Sequence, residues 1–296
     1  MEEIFKSGFA AIIGPPNAGK STLLNRILGE KVAIVSPKPQ TTRNRILGIY
    51  HGEGYQIAFM DTPGIHKTKT VLHKSMVTSA LEAVGEVDIL LVVTNITSPY
   101  DEDFDRYLGQ YKNIKIPVIL AINKIDRVNR EKLLPVIDHY SKKYDFKAIV
   151  PVSALTGSGI DSLLGEIKDL LEPGPEYFPK DMLTDQPEKF LVAEIIREKI
   201  YMNTKKEIPY SSAVSVQHIK ENNKKGLLSV AAKIHVESDS QKGIIIGKGG
   251  AMIKEIGKAA RIELEKTLGI HVFLDLTVKV DKNWTRDTKS LKKLGY

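Results

Sequence analysis

A glycine-rich stretch near the start of the chain, 14-GPPNAGKST-22, constrains the fold more than any other feature. It follows the apolar run 9-FAAII-13 and precedes 20-KSTLLNRILGE-30, whose apolar positions have the spacing of an amphipathic helix. The pattern GxxxxGK[ST] between a strand and a helix is typical of a phosphate-binding loop rather than a plain glycine turn. Lys20 would neutralise phosphate charge and Ser21 would ligate magnesium. The predicted nucleotide contacts here are Gly14, Asn17, Ala18, Gly19, Lys20, Ser21 and Thr22.

Residues 1–171 alternate short apolar runs with helical patterns. The apolar runs are 57–60, 88–93, 117–123 and 148–153, and a helical pattern covers 70–85. This alternation predicts an α/β domain with a mostly parallel sheet, in which binding sites lie at the carboxyl ends of the strands. Three prolines and a glycine within 172-EPGPEYFPKD-181 exclude regular structure there and predict a linker.

The remaining chain, 182–296, has a different pattern. A helix is predicted over 187–203, strands over 210–219, 227–237 and 270–280, and helical segments on both sides of 247-GKGG-250. The order α-β-β-α-α-β predicts a smaller α+β domain with a three-stranded sheet.

Positive charge is concentrated in this second part. Residues 1–179 contain 21 Lys+Arg and 21 Asp+Glu, whereas residues 180–296 contain 22 and 15, so the net charge of +7 lies there. Such a domain attracts polyanions, either nucleic acid or acidic lipid, although a solvated lysine-rich surface is the alternative.

Other classes of protein are excluded by composition. No stretch approaches the roughly 18 apolar residues of a membrane span, and MEEIFKSGFA does not resemble a signal peptide. The chain has no cysteine, which excludes disulfides and thiolate metal sites. We therefore expect a soluble cytoplasmic protein, with peripheral contact at the inner face of the cell membrane left open.

Two further motifs follow predicted strands. In 61-DTPG-64, Asp61 is placed to hold Mg²⁺ through water, and the Gly64 N–H is placed for a γ-phosphate. In 123-NKID-126, Asp126 can accept hydrogen bonds from guanine N1–H and N2–H₂, whereas adenine has no matching donors. Each motif alone could be an ordinary turn or a helix cap. Their joint order after the glycine loop favours a GTP site over an ATP site.

The remaining predicted contacts surround the base. Asn123 would tie neighbouring loops together and Lys124 would cover the base plane. The segment 153-SAL-155 would bring the Ala154 N–H to guanine O6, with Ser153 and Leu155 beside it.

These motifs together resemble those of translation-factor-related GTPases, and 39-PQTTRNRILGI-49 is similar to the first switch of the Era family of GTPases. The resemblance implies an α/β phosphate-loop GTPase domain that hydrolyses GTP with Mg²⁺. It makes Thr42, with Thr41 the weaker candidate, the switch threonine that ligates Mg²⁺ beside Ser21 and Asp61. The implied catalytic residues are Lys20, Thr42 and Gly64.

One position departs from Ras-like enzymes. Ile65 stands where those enzymes carry a water-orienting glutamine, so intrinsic hydrolysis should be slow. GTPases that resemble this one often use a potassium ion held partly by an asparagine that matches Asn17. An asparagine there could equally serve an unusual backbone angle.

The second glycine cluster, within 243-GIIIGKGGAMIKEIGKAAR-261, is typical of the GxxG loop of a KH domain. The domain resembles the type II KH topology, and a GTPase followed by such a domain is the Era architecture. That resemblance implies binding to the 3′ end of small-subunit ribosomal RNA, with splayed bases along an apolar groove, and assistance in small-subunit maturation by a monomer. Trp284 could be a core anchor or an RNA platform. The predicted RNA contacts are Gly247, Lys248, Gly249, Gly250, Lys254, Lys258 and Arg261.

Three alternatives compete with this interpretation. A metabolic kinase would use the same phosphate loop but has no need for Thr42 or for guanine selection by Asp126. A non-hydrolysing RNA-binding protein is opposed by the intact motifs. A tRNA-modification-type GTPase would resemble the first part but lacks the KH half.

Overall fold

The computed structural model describes residues 4–39, 41–63, 85–99, 115–222 and 226–294. The chain divides into two compact units. Of the described residues, the first comprises those within Met1–Ala33, Thr42–Lys67 and Val77–Asp185, and the second those within Ile34–Thr41 and Gln186–Tyr296. The predicted helix at 70–85, together with Gly64 and Ile65, lies outside the described residues apart from position 85.

The first unit is built on a six-stranded sheet in the order β2-β3-β1-β4-β5-β6. Only β2 is antiparallel to its neighbour, and every other pairing is parallel. Central strands such as β4 are buried and apolar almost throughout, as expected where a sheet is covered on both faces. The strands are β1 (Lys6–Ile13), β2 (Ile46–Gly52), β3 (Tyr55–Asp61), β4 (Ile89–Asn95), β5 (Val118–Asn123) and β6 (Ala148–Pro151).

Three described α-helices belong to this unit: α1 (Lys20–Leu28), α2 (Leu133–Ser141) and α3 (Ile160–Leu170). Parallel pairing brings the carboxyl ends of β1, β3, β4 and β5 to one edge of the sheet. The glycine loop after β1, the turn after β3 and the NKID turn after β5 therefore share that edge.

The proline-rich segment 172–181 has no helix and follows the first unit in an extended path. The buried side chain of Gln56 accepts hydrogen bonds from the backbone N–H groups of Tyr177 and Phe178 and donates one to the Phe178 carbonyl. Farther along, Thr184 donates to the carbonyl of Leu47. Each proline removes one N–H group, and the N–H groups of Gly174, Tyr177 and Phe178 are bonded by groups of the first unit.

The second unit has the predicted α-β-β-α-α-β order around a three-stranded sheet, β7-β8-β9. Strand β7 is antiparallel to β8, and β9 is parallel to it. Val230 and Ile234 of β8 pack with Ile196 and Ile256 in a single apolar core. The elements are α4 (Glu188–Asn203), α5 (Ile208–Ser211), β7 (Ala213–Asn222), β8 (Leu227–Val236), α6 (Asp239–Ile246), α7 (Ala251–Leu268), β9 (His271–Val280) and α8 (Thr288–Lys293).

In this unit β7 begins later than predicted, and the position of Trp284 decides between its two predicted roles. Residues 208–211 are helical, so β7 begins at Ala213 and not at position 210. Pro209 explains the difference, because its fixed φ and missing N–H suit the first turn of a helix. Trp284 is fully buried against Ala213 and Leu291, and its Nε1–H donates to the Ser211 carbonyl, so it is a core anchor.

Among the described residues, no helix combines the length and the hydropathy of a membrane span.

Candidate functional site

The glycine loop encloses a buried lysine at the start of α1. Lys20 is only 6% exposed, and its Nζ donates to the carbonyls of Gly14 and Pro15, each at 3.1 Å. Gly14 has φ 148, and a Cβ there would lie 2.1 Å from the Val93 carbonyl oxygen. A Cβ on Gly19 would lie 2.3 Å from Nδ2 of Asn123. The loop therefore needs glycine at both positions because the backbone and side chains around it come so close.

No side chain caps the first turn of α1, which begins after Gly19 in the left-handed region. The N–H groups of that turn have no intrahelical partner, and they carry the positive end of the helix dipole. Together with Lys20 they form an arrangement suited to an anion such as phosphate.

Three side chains converge beside this loop. The Ser21 hydroxyl donates to Oδ2 of Asp61 at 2.6 Å and lies 2.7 Å from the Thr42 hydroxyl. The Thr42 hydroxyl in turn donates to the same Asp61 oxygen at 3.3 Å. Thr41 is directed elsewhere, since its hydroxyl donates to the Lys38 carbonyl. Of the two candidate switch threonines, it is thus Thr42 whose hydroxyl lies beside Ser21 and Asp61.

The charges at this cluster fit a divalent cation. Asp61 is fully buried, and its Oδ1 has no hydrogen-bond partner among the described residues. Burial raises the pKa of Asp61, opposed by Lys20 and by hydrogen bonds from Ser21 and Thr42. A buried carboxylate oxygen without a donor beside two hydroxyls is a hard oxygen donor set of the kind that Mg²⁺ prefers. The residues present therefore fit magnesium.

Lys20 shows the complementary effect. Burial lowers the pKa of its ammonium to about 8, although the charge of Asp61 acts in the opposite direction. Desolvation in a site built for an anion explains this, because the cation has lost water without gaining a full counter-charge.

The NKID turn and the 153–155 segment meet at the end of β5. Asn123 donates to the Ala18 carbonyl at 2.9 Å and accepts from the Ala154 N–H at 3.0 Å, so it ties the glycine loop to that segment as predicted. The Lys124 ammonium donates to the Asn17 carbonyl at 2.5 Å. Asp126 is exposed, and Oγ of Ser153 donates to its Oδ1 at 2.5 Å. Asn123 is thus arranged to order the loops, and the carboxylate of Asp126 is exposed beside them.

Sequence reasoning also singled out Gly64, Ile65, Asn17 and Leu155. Gly64 and Ile65 lie outside the described residues. Asn17 is exposed with φ 61, so its place in the left-handed region is a backbone reason for asparagine in the loop. The Leu155 side chain is mostly exposed.

Sequence reasoning missed two residues of α1 that support this site. Oδ1 of Asn25 accepts from the N–H groups of Val32 and Ala33 at 3.1 and 2.9 Å. Arg26 donates from Nε to the Ala154 carbonyl at 3.0 Å and from Nη2 to the Leu155 carbonyl. Both occupy polar positions of an amphipathic helix, where the pattern alone does not distinguish a bracing residue from a solvated one.

The second glycine loop joins α6 to α7 and is open to solvent. Gly249 and Gly250 have φ 60 and 79, and a Cβ on either would meet nothing within 4 Å. Lys248 is exposed between them and Gly247, where a Cβ would lie 2.8 Å from the Met252 nitrogen. The loop thus allows a long, irregular backbone to approach closely.

A groove of about 480 Å³ runs between α7 and β9. Three of the predicted phosphate contacts, Lys254, Lys258 and Arg261, line it. Phe273 was missed by sequence reasoning, yet it is 59% exposed in the same groove. An apolar residue on the polar face of an alternating strand was the available signal. The remaining lining residues are Ile253, Gly257, Val272, Leu274 and Leu276.

Two family models match this chain, one in each of its two parts. The model described as 50S ribosome-binding GTPase matches residues 9–124, and the KH domain model matches residues 207–285. GTPase Era of Geobacter metallireducens is 52% identical over 99% of this chain and 98% of the relative. GTPase Era of Geotalea uraniireducens is 52% identical over 100% of this chain and 99% of its own length.

The chain belongs to the GTPase Era family. Two solved structures of Era extend the similarity to the whole fold. One is a variant of Aquifex aeolicus Era bound to GDP·AlF4⁻, with a TM-score of 0.94, 43% identity and coverage of 99% of each chain. The other is Era in complex with MgGDPNP and nucleotides 1506–1542 of 16S ribosomal RNA, with a TM-score of 0.94, 44% identity and the same coverage. The predicted fold class, a GTPase domain followed by a KH domain, is confirmed.

Proposed function

We propose that this protein is a GTP-hydrolysing factor that binds the single-stranded 3′ end of small-subunit ribosomal RNA and assists maturation of that subunit. The observation that carries the nucleotide half is the convergence of the Ser21 and Thr42 hydroxyls on Oδ2 of Asp61, whose other oxygen, Oδ1, has no hydrogen-bond partner among the described residues. Membership of the GTPase Era family and the Era complex with MgGDPNP support it.

Each residue of the first site has a role in this proposal. Magnesium, when bound, supplies positive charge that offsets the charge of the β- and γ-phosphates. Ser21, Thr42 and Asp61 would hold it, while Lys20 and the N–H groups of Gly19 and its neighbours would bind phosphate oxygens. Hydrolysis then depends on holding the nucleotide and a water in position. The Gly64 N–H would bind the γ-phosphate, whereas Ile65 cannot orient the water, so the intrinsic rate should be slow.

Guanine selection rests on the carboxylate of Asp126. The Ser153 hydroxyl bonds one carboxylate oxygen and so limits how the side chain can turn. Guanine offers two donors to a carboxylate held in this way, and adenine offers none in the same place. Lys124 and the Ala154 N–H complete the base site in this proposal, with Leu155 at its edge.

Replacing Asp126 by Asn tests the nucleotide assignment. We expect Asp126→Asn to weaken GTP by about 10- to 100-fold, since a hydrogen-bonded pair with a charged group is lost. The variant should gain affinity for xanthosine triphosphate, whose C2 oxygen accepts from the new amide. Binding of labelled nucleotides measures both. Asp138→Asn, in an exposed ion pair with Lys142, is the matched control, and equal GTP binding by all three proteins would refute the assignment.

The RNA half rests on the groove between α7 and β9. Its cations lie along one side, beside the apolar residues and Phe273. Phosphates would lie against Lys248, Lys254, Lys258 and Arg261, and unstacked bases would lie in the apolar part of the groove. The solved Era complex with 16S ribosomal RNA nucleotides supports the same choice of ligand.

An anion placed in the open loop tests the RNA site. Gly249→Asp should weaken a short single-stranded RNA ending like the small-subunit 3′ terminus by at least about tenfold, because like charge repels the phosphates. Gly226→Asp is the control, since Gly226 also has positive φ and open space but lies outside the groove. Fluorescence anisotropy measures the affinity. Equal losses in both variants would place the RNA elsewhere.

The finer expectations complete the proposal. We place the protein in the cytoplasm as a monomer, with peripheral membrane contact resting on the positive charge of residues 180–296. A potassium ion at Asn17 stays a prediction. A tRNA-modification-type GTPase is not favoured, because the full-length relatives are GTPase Era and a KH domain model matches residues 207–285.

A further inference from the structure

The second unit includes a short segment, Ile34–Thr41, that comes directly before Thr42 in sequence. Its Lys38 ammonium donates to the carbonyls of Tyr201 and Thr204 at the end of α4. The last carbonyls of a helix have no intrahelical donor and carry the negative end of the dipole. Lys38 therefore attaches the segment to the end of α4 through bonds that the helix itself leaves available.

A buried arginine of the same helix holds the far end of the segment. Arg197 is fully buried, and its Nε and Nη2 donate to the two carboxylate oxygens of Glu194, each at 2.6 Å. Nη2 also donates to the backbone carbonyl of Thr41 at 2.6 Å. The fork with Glu194 balances the buried charge, so the bond to Thr41 is an additional and well-oriented contact.

The segment is also braced internally. The Ser36 hydroxyl lies 2.7 Å from the Thr41 hydroxyl, and Thr41 donates to the Lys38 carbonyl at 2.8 Å. Pro37 and Pro39 restrict φ on both sides of Lys38. Side-chain anchors at Lys38 and Thr41 therefore act on a loop that already has limited freedom.

We propose that Arg197 is a positioning residue for GTP hydrolysis, acting through the Thr41 carbonyl on Thr42. The peptide unit that contains this carbonyl also contains the nitrogen and Cα of Thr42, and it is planar. A guanidinium that holds the oxygen therefore restricts the orientation of the plane from which the Thr42 side chain extends. Only φ and χ1 of Thr42 remain to direct its hydroxyl towards Ser21 and Asp61. This inference rests on the proposed role of Thr42 at the magnesium site.

The test replaces the ion pair by apolar residues of similar volume. In the full-length double variant Glu194→Leu/Arg197→Met no buried charge is left alone, so the fold should persist. We expect affinity for GDPNP to fall about tenfold while affinity for GDP is kept, and kcat for GTP to fall by a similar factor. Amide hydrogen exchange over residues 36–42 should accelerate at least about tenfold in the nucleotide-free protein.

Two further variants make the result specific. Arg197→Lys keeps the charge but lacks the fork that reaches two partners, so it should show the same pattern to a smaller extent. Thermal unfolding shows whether the double variant folds. If it does not, Arg197→Lys alone tests the role of Arg197. Glu263→Gln removes an ion pair of Lys199 on the same helix without touching the segment, and it should leave every readout unchanged.

Thr42→Ala separates this inference from the function on which it rests. A folded double variant with unchanged GDPNP affinity, kcat and exchange would overturn the role of Arg197, provided that Thr42→Ala is impaired. An unimpaired Thr42→Ala would overturn the role of Thr42 and the inference with it. Equal losses of GDP and GDPNP affinity in the double variant would also overturn the inference, because they would show general damage to the protein.

Discussion

The two glycine loops of this chain have the same local construction and different surroundings. Gly19 and Gly250 both have positive φ and each comes directly before a helix. Neither helix has a side-chain cap at its start. Both helices therefore begin with N–H groups that can bind an anion. The same local arrangement for binding phosphate thus occurs at two places in this chain.

The difference lies in what surrounds the backbone. A Cβ on Gly14 or Gly19 would clash with Val93 or Asn123, whereas a Cβ on Gly249 or Gly250 would meet nothing within 4 Å. The first loop is closed by its own unit and suits one small ligand of fixed size. The second is open along one side and suits a polymer. Close packing requires glycine at positions 14 and 19, whereas at positions 249 and 250 only the backbone direction favours it.

The largest effect should come from the buried lysine of the closed loop. Lys20→Met should weaken the binding of GTP and GDP by about 100- to 1,000-fold, because a charged donor to phosphate is lost in a desolvated site. Lys115→Met removes an exposed lysine of the same unit and is the control. Isothermal titration with each nucleotide measures the loss. A change below threefold would mean that the loop does not hold phosphate through Lys20.

A smaller effect should follow from adding one methyl group to each loop. Gly14→Ala should lower the free energy of unfolding by about 3 kcal/mol, since the new Cβ meets the Val93 carbonyl and the backbone must move. Gly250→Ala should cost only about 1 kcal/mol, the price of left-handed φ without a clash. Urea denaturation of the nucleotide-free proteins measures both. Equal costs would remove the distinction between closed and open loops.

Local sequence was sufficient to predict both loops, because each depends on residues within a few positions of one another. The GxxxxGK[ST] and GKGG spacings, with the strand and helix patterns around them, led to the fold class that the comparisons confirm. The order of elements in the second unit was predictable for the same reason.

Contacts between distant residues could not be predicted in this way. Arg26 reaches carbonyls 128 and 129 residues away, and Arg197 reaches one 156 residues away. The antiparallel strand β2 was also missed, since only two residues separate it from the PQTTR segment and it contains two glycines, His51 and few alternating apolar residues. In each case the partner, and not the local pattern, determines the structure.

A more gradual effect concerns the titration of Lys20 in the nucleotide-free protein. Burial lowers the pKa of this lysine from 10.5 to about 8. Between these values the unfolded chain still binds a proton that the folded protein has released. The free energy of unfolding must therefore rise with pH across this window, by at most about 3 kcal/mol from this residue. Below pH 8 both states bind the proton, and the contribution of Lys20 is constant.

The comparison of wild type with Lys20→Met isolates this contribution from the other lysines and tyrosines that titrate at high pH. The difference in free energy of unfolding between the two proteins, measured by urea denaturation from pH 7 to pH 10.5, should be flat at first and then favour wild type increasingly above pH 8. Bound GDP should remove the slope, because phosphate keeps the ammonium charged in the folded state. A flat difference for Lys20→Met would mean that the closed loop does not desolvate its lysine, and the contrast between the two loops would then rest on glycine packing alone.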